Sequence, residues 1–214
     1  MSITSLLLLA DGRFPSGGHA HSGGLEAAVT ARRVTGVDDL GAFLRGRLAT
    51  AGLVSSAFAA AACYSTVDAS SLDAGLDART PSPALRRASR AQGRALLRAA
   101  RQMWPLPPLP ASPHQPVALG VVAAAAGLDH TQAALAAAYG TITGPASAAV
   151  RLLGLDPYRV HALLAGMATD CETVAARAAA HAGSPVDDLP AASAPLLDAG
   201  AEIHARWEVR LFAS

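Results

Sequence analysis

The chain has 214 residues, 51% of them hydrophobic, which is enough to bury a full core. Its 17 basic and 16 acidic residues leave a net charge of +1, too balanced for a protein that lives on a nucleic-acid phosphate backbone. Every basic residue is arginine; with no lysine in the sequence, a phosphate-loop lysine, a Schiff base and a lysine general base are all excluded.

Segments rich in Ala, Leu and Arg alternate with Gly/Pro/Ser breaks, and no period-two run is long enough for a sheet. The expected fold is an all-α, single-domain helical bundle over residues 1–214, with helices at 3–10, 24–33, 38–64, 83–103, 116–126, 130–154, 158–182 and 195–212. The first of these contains a short apolar run at residues 6–9 with no basic region before it and no cleavage pattern after it, so no signal peptide is expected.

Between the first two helices lies the least ordinary stretch, Asp11-Gly-Arg-Phe-Pro-Ser-Gly-Gly-His-Ala-His-Ser-Gly-Gly-Leu-Glu26. Its glycines permit left-handed turns, and Ser22 is placed to cap the helix near Gly24. His19 and His21 are the candidate metal ligands, but two imidazoles two residues apart need a third ligand supplied by folding, from Asp11, Glu26 or His114. The competing reading is a tight turn whose polar side chains bond the backbone.

Helix 38–64 contains the most apolar stretch, residues 48–63, interrupted by Thr50, Gly52, Ser55 and Ser56; it falls short of the roughly 20 strongly apolar residues of a membrane span. A helix packed inside a bundle is expected, and no membrane partner. Cys63 and Cys171 have no second cysteine nearby, which argues for reduced, cytoplasmic thiols rather than a zinc knuckle or disulfide framework. Residues 66–82 read as a loop.

In helix 83–103, Leu85, Ala88, Gln92, Ala95, Leu96 and Ala99 share one side, while Arg87, Arg90, Arg94, Arg98 and Arg101 repeat on the other. That arginine ridge is either a solvated face or a surface for an acidic or phosphate-bearing partner. The proline-dense segment 104–113 is not helical and reads as a stiff connector between two helical halves. Asp156 and Pro157 predict a capped start for helix 158–182, and residues 183–193 read as a loop that isolates the last helix. That helix, 195–212, carries Leu196, Leu197, Ile203, Trp207 and Leu211 near one face, which makes it a docking candidate.

Leu9-Ala10-Asp11, Phe14-Pro15-Ser16-Gly17 and His21-Ser22-Gly23-Gly24-Leu25-Glu26 together resemble the signature of the UreF family of urease accessory proteins, which runs LAD, then LP and G, then HSxGLE. The likeness continues through Ser89-Arg90, Gly93-Arg94, His114, Pro116, Gly120, Tyr139 and Ser147–Leu152 to His204 and a terminal Arg210-Leu211-Phe212-Ala213-Ser214 similar to the family's RLFxS ending. His204 is followed by Ala205, where the family usually has a glutamate, and Phe14 stands where it often has leucine.

The resemblance implies a helical homodimer without an active site or stable cofactor of its own. It would bind UreD/UreH and recruit the nickel-carrying GTPase UreG, and the complex would deliver nickel to apo-urease. By motif position it implies Arg210, Leu211 and Phe212 at the UreD/UreH interface, and Arg90, Arg94, Tyr139 and Arg151 in a structural or partner network. Two other readings rest on residues alone: an enzyme with a histidine site near His19, His21 and His114, and a helical adaptor for another client.

Overall fold

The computed structural model describes residues 3–213, which contain helices and loops and no strand. The α-helices are α1 (Ile3–Ala10), α2 (Leu25–Thr30), α3 (Val37–Arg47), α4 (Leu53–Tyr64), α5 (Ala69–Ala78), α6 (Pro83–Ala100), α7 (Gln115–Ala125), α8 (His130–Leu153), α9 (Pro157–Gly166), α10 (Ala168–Ala179) and α11 (Pro195–His204). A wider π turn, Leu48–Gly52, joins α3 to α4 so that Val37–Tyr64 runs on without a break. By length and composition this is the one helix among the described residues apolar enough to cross a membrane, and most of its apolar stretch is buried by its neighbours.

Helix α4 is the hub. It packs against α7, α8 and α10, and its residues Ala57 to Ala62 are almost wholly buried. Alanines on α4 let α7 approach to backbone contact: a Cβ on Gly120 would lie 2.2 Å from the Ala59 carbonyl oxygen. Gly93 on α6 plays the same part against the Pro113 carbonyl, 2.1 Å from where its Cβ would sit. Small residues give little transfer energy each, so cohesion here comes from close contact over many atoms.

Sequence signals locate the helix starts well. Asp129 and Gln132 form a reciprocal capping box on α8, Asp156 accepts from Tyr158 N–H as expected, and Ser82 Oγ accepts from Leu85 N–H at 3.1 Å. Four expectations need correction. Residues 66–82 are not all loop: Asp68 caps Ser70 and Ser71 and starts α5, whose Leu72 and Leu76 are buried. The 158–182 helix is broken at Met167 into α9 and α10. The connector 104–113 is extended, but Trp104, Leu106 and Leu109 pack against the core, and the halves it joins share that core through α4, α7 and α8.

The last helix differs most. It stops at His204 and is not isolated, because α11 packs on α2 and α6. The preceding loop is held down by Arg79, whose guanidinium donates to the carbonyls of Val186, Leu189 and Pro190.

Gly120→Ala is expected to lower stability by about 3 kcal/mol, because backbone atoms rather than a flexible side chain oppose the new methyl. Gly140→Ala, on α8 with open space around its Cβ, is expected to raise it by about 0.5–1 kcal/mol. Urea unfolding of both variants checks the pair.

Candidate functional site

The turn before α2 is built by Gly23 at φ +61° and Gly24 at φ +88°, which bring Ser22 Oγ to 3.2 Å from the Glu26 N–H. Glu26 is then buried in the first turn of α2, where a carboxylate must find donors. It finds them at the other end of the chain. His204 Nε2–H donates to Oε2 at 2.8 Å, Phe212 N–H to the same oxygen at 3.1 Å, and Leu211 N–H to Oε1 at 2.9 Å. Burial pushes the Glu26 carboxyl up, yet the bonds from Leu211, His204 and Phe212 outweigh it and hold the group below its usual range.

Around this carboxylate the C-terminal segment closes onto the glycine-histidine turn. Ala213 N–H donates to the Ala20 carbonyl at 2.7 Å, and Trp207 packs on the His204 ring at 4.8 Å between centroids. Phe212 enters the core beneath the Arg151 guanidinium, which stands 4.4 Å from the ring centroid and donates to the His19 carbonyl at 2.8 Å. Residues expected to act separately, Arg151 and Phe212, are thus one clamp, and Phe212 is internal. Arg210 and Leu211 remain exposed. Glu26 as the anchor was not read from sequence, although a single carboxylate just inside a glycine-built helix start is its signal.

A second junction lies beside the same turn. Pro145 interrupts α8 and has no N–H for the carbonyl of Thr141, four residues earlier. Arg47, at the end of α3, supplies the missing donor, Nε to Thr141 O at 3.2 Å. Gly23 packs against both: a Cβ there would lie 3.0 Å from Pro145 Cγ and 3.1 Å from Arg47 Cζ.

The arginine ridge is only partly a ridge. Arg87, Arg94, Arg98 and Arg101 are exposed, but Arg90 turns inward, its Nη1 2.8 Å from Asp73 and its Nη2 2.7 Å from Asp77. The buried face of α6 is Gly93, Leu96, Leu97 and Ala100, rotated from the expected stripe because the close approach at Gly93 sets the contact line. Arg94 Nη1 reaches Ser112 Oγ in the proline segment. Tyr139 is exposed on α8.

His114 is fully buried, with Nδ1 3.0 Å from Ser89 Oγ, Nε2 2.9 Å from Asp77 and its backbone N–H bonded to Asp73. Burial lowers its pKa against the pull of Asp77, which favours a neutral ring donating from Nε2. His19 and His21 line an open cleft instead, so the three histidines of the enzyme reading do not converge. Among the described residues no group of three His, Cys, Asp or Glu side chains is placed to hold a metal ion.

The described tail and α11 also leave apolar side chains in water. Leu196 and Ile203, seven residues apart on α11, are 66% and 59% exposed, and Val209 and Leu211 are 86% and 72% exposed.

Compared with known proteins, residues 34–168 match the UreF family model. Over the whole chain, and 99% of each relative, the sequence is 50% identical to the urease accessory protein UreF of Mycobacterium sp. (strain JLS), 46% to that of Mycolicibacterium vanbaalenii and 43% to that of Mycobacterium tuberculosis (strain ATCC 25618 / H37Rv).

A depressed carboxylate pKa contributes stability that is present above its unfolded value, 4.5, and is lost as pH falls through the folded value. Hydrogen exchange at Leu211 and Phe212 is therefore expected to lose protection below about pH 4.5 before the α4 core does. Glu26→Gln is expected to remove that protection at neutral pH at a cost on the order of 3 kcal/mol. For the second network, Arg90→Ala is expected to cost about 3 kcal/mol because it strands the buried Asp73, whereas Arg98→Ala should stay within about 0.5 kcal/mol; thermal unfolding distinguishes them.

Proposed function

The chain belongs to the UreF family of urease accessory proteins, and from that premise we propose that it acts in urease maturation as a helical scaffold, joining UreD/UreH and the GTPase UreG to apo-urease for nickel insertion. Its relatives are named as accessory proteins, not enzymes, and the chemistry of nickel insertion belongs to the assembled complex. Nickel is cargo in this reading, handled by the complex and not held by His19 and His21, and the working form is a homodimer.

The observation that carries the proposal is the apolar stripe at the C-terminal end of the chain. Leu196, Ala199 and Ile203 lie at helical spacing on the outer face of α11, and Val209 and Leu211 are exposed on the docked segment that follows it. Exposed large apolar side chains close in sequence to the exposed charges of Arg206, Glu208 and Arg210 have the composition of a protein interface, apolar groups with charged neighbours. The clamp at Glu26 holds this surface in one conformation before a partner arrives, which lowers the ordering cost of association. We assign this stripe to UreD/UreH. The exposed arginines Arg94, Arg98 and Arg101 on α6 offer a second, cationic surface for UreG or urease, and Tyr139 a third on α8.

Deleting the tail would not test this, because deletion also removes Phe212 from the core. Exposed positions do. Leu196→Asp with Ile203→Asp and Leu211→Asp should leave helical circular dichroism unchanged, reduce capture of UreD/UreH at least about tenfold, and lower urease activation in a reconstitution that follows nickel incorporation and GTP turnover together. Undiminished capture and activation by the folded triple variant would overturn the assignment.

A further inference from the structure

Among the described residues, Arg47 is a charged group enclosed by the fold that has neither an acid nor a full set of backbone acceptors. Arg90 has Asp73 and Asp77, Glu26 has His204 and two backbone N–H groups, and Arg79 is saturated by backbone carbonyls. Arg47 makes a single hydrogen bond, from Nε to Thr141 O, and leaves Nη1 and Nη2 without a partner among the described residues. These nitrogens are not sealed in the core, since among the described residues the buried side-chain polar atom lacking a partner is Ser56 Oγ. Arg47 instead lines a cleft of about 740 Å³ that runs past the glycine-histidine turn and the part of α8 around Pro145.

The described lining of the cleft carries two further arginines, Arg79 and Arg151, and the imidazoles of His19, His21 and His161. Among the described residues its lining carboxylates are Asp11, which is paired with Arg13, and Asp198, which accepts from the Ser82 N–H. Three features fix the orientation of the fork. Nε is tied to the carbonyl that Pro145 leaves free, Gly23 covers the guanidinium without a Cβ, and the π turn beginning at Leu48 follows at once. A guanidinium held by Nε presents both Nη groups on one edge, the geometry that grips a carboxylate or phosphate with two parallel bonds. We infer that the Nη edge of Arg47, in the cleft beside Gly23 and Thr141, is a binding site for an oxyanion, a carboxylate or phosphate carried by a partner chain or free in solution. Burial without an acid to compensate also lowers the Arg47 pKa to about 10, a cost that a bound anion would remove.

This site is independent of the apolar stripe, and the two readings fail separately: the stripe is judged by capture of UreD/UreH, the Arg47 site by anion binding to the full chain alone. The chain is labelled with ¹⁵N-arginine, and the Arg47 Nε–H signal is followed as sodium phosphate or sodium acetate replaces sodium chloride at constant ionic strength. A saturable shift with an apparent Kd on the order of 1 mM is expected for at least one anion. Arg47→Lys, which keeps the charge and loses the fork, should weaken binding at least about tenfold with its circular dichroism unchanged, both proteins being compared in uniformly ¹⁵N-labelled form at the backbone N–H of Gly23 beside the site. Absence of a saturable shift with both anions overturns the site, and this wild-type measurement decides the matter if Arg47→Lys does not fold. Equal binding by a folded Arg47→Lys also overturns it. Phosphate competition against capture of UreD/UreH and UreG then assigns the source: loss of capture identifies a protein-borne oxyanion, and unchanged capture a free one.

Discussion

The buried carboxylate of Glu26 is the constraint around which the two ends of the chain are organised. A carboxylate out of water is tolerated only when its lone pairs are filled, and its own helix has no donor to spare for it. The donors come from residues far along the chain, 178 to 186 positions away, so the first and last signature segments are a single structural unit. The glycines before α2, the capping Ser22, the imidazole of His204 and the backbone of the terminal segment all serve this one acceptor. Phe212 and Arg151 seal it from the side.

The same logic recurs at the other end of the bundle. Asp73 and Asp77 on α5 receive Arg90 from α6 and His114 from the start of α7, so three helices are tied through one polar cluster. Such a network contributes little net energy relative to a well-packed apolar core, but it is costly to leave half-made, and it sets the register of helices whose packing surfaces are mostly alanine and glycine. An alanine surface is smooth. Away from the close approaches at Gly93 and Gly120, steric fit alone leaves the register loosely set, and the polar ties complete it.

These ties also explain where partner surfaces can be. Side chains consumed by internal pairing, Arg90, Phe212 and His114 among them, are withdrawn from recognition. Among the groups left in water are Leu196, Ile203, Val209, Leu211, the outer arginines of α6 and Tyr139. Arg47 stands between the two classes: positioned by internal bonds, yet with its binding edge unspent.

Local chemistry was enough to read the helical class, most helix starts and the family resemblance, because caps, prolines and helix formers act within a few residues. Asp156 before Pro157, Asp129 with Gln132 and Ser82 before Pro83 each declare a helix start without reference to the rest of the chain. Helix α5 was missed although Asp68 declares it equally well, since its only large apolar side chains are Leu72 and Leu76 and it is stabilised by what these two bury against. Where the last helix ends, which arginine turns inward and which motif residues meet were decided by tertiary structure alone. A helical stripe specifies a face only to within a residue or two, and the close approach at Gly93 rotated α6 enough to turn Arg90 inward. The docking of Leu211 and Phe212 on Glu26 depends on a contact across nearly the full chain, and no periodicity in a sequence encodes a partner at that distance.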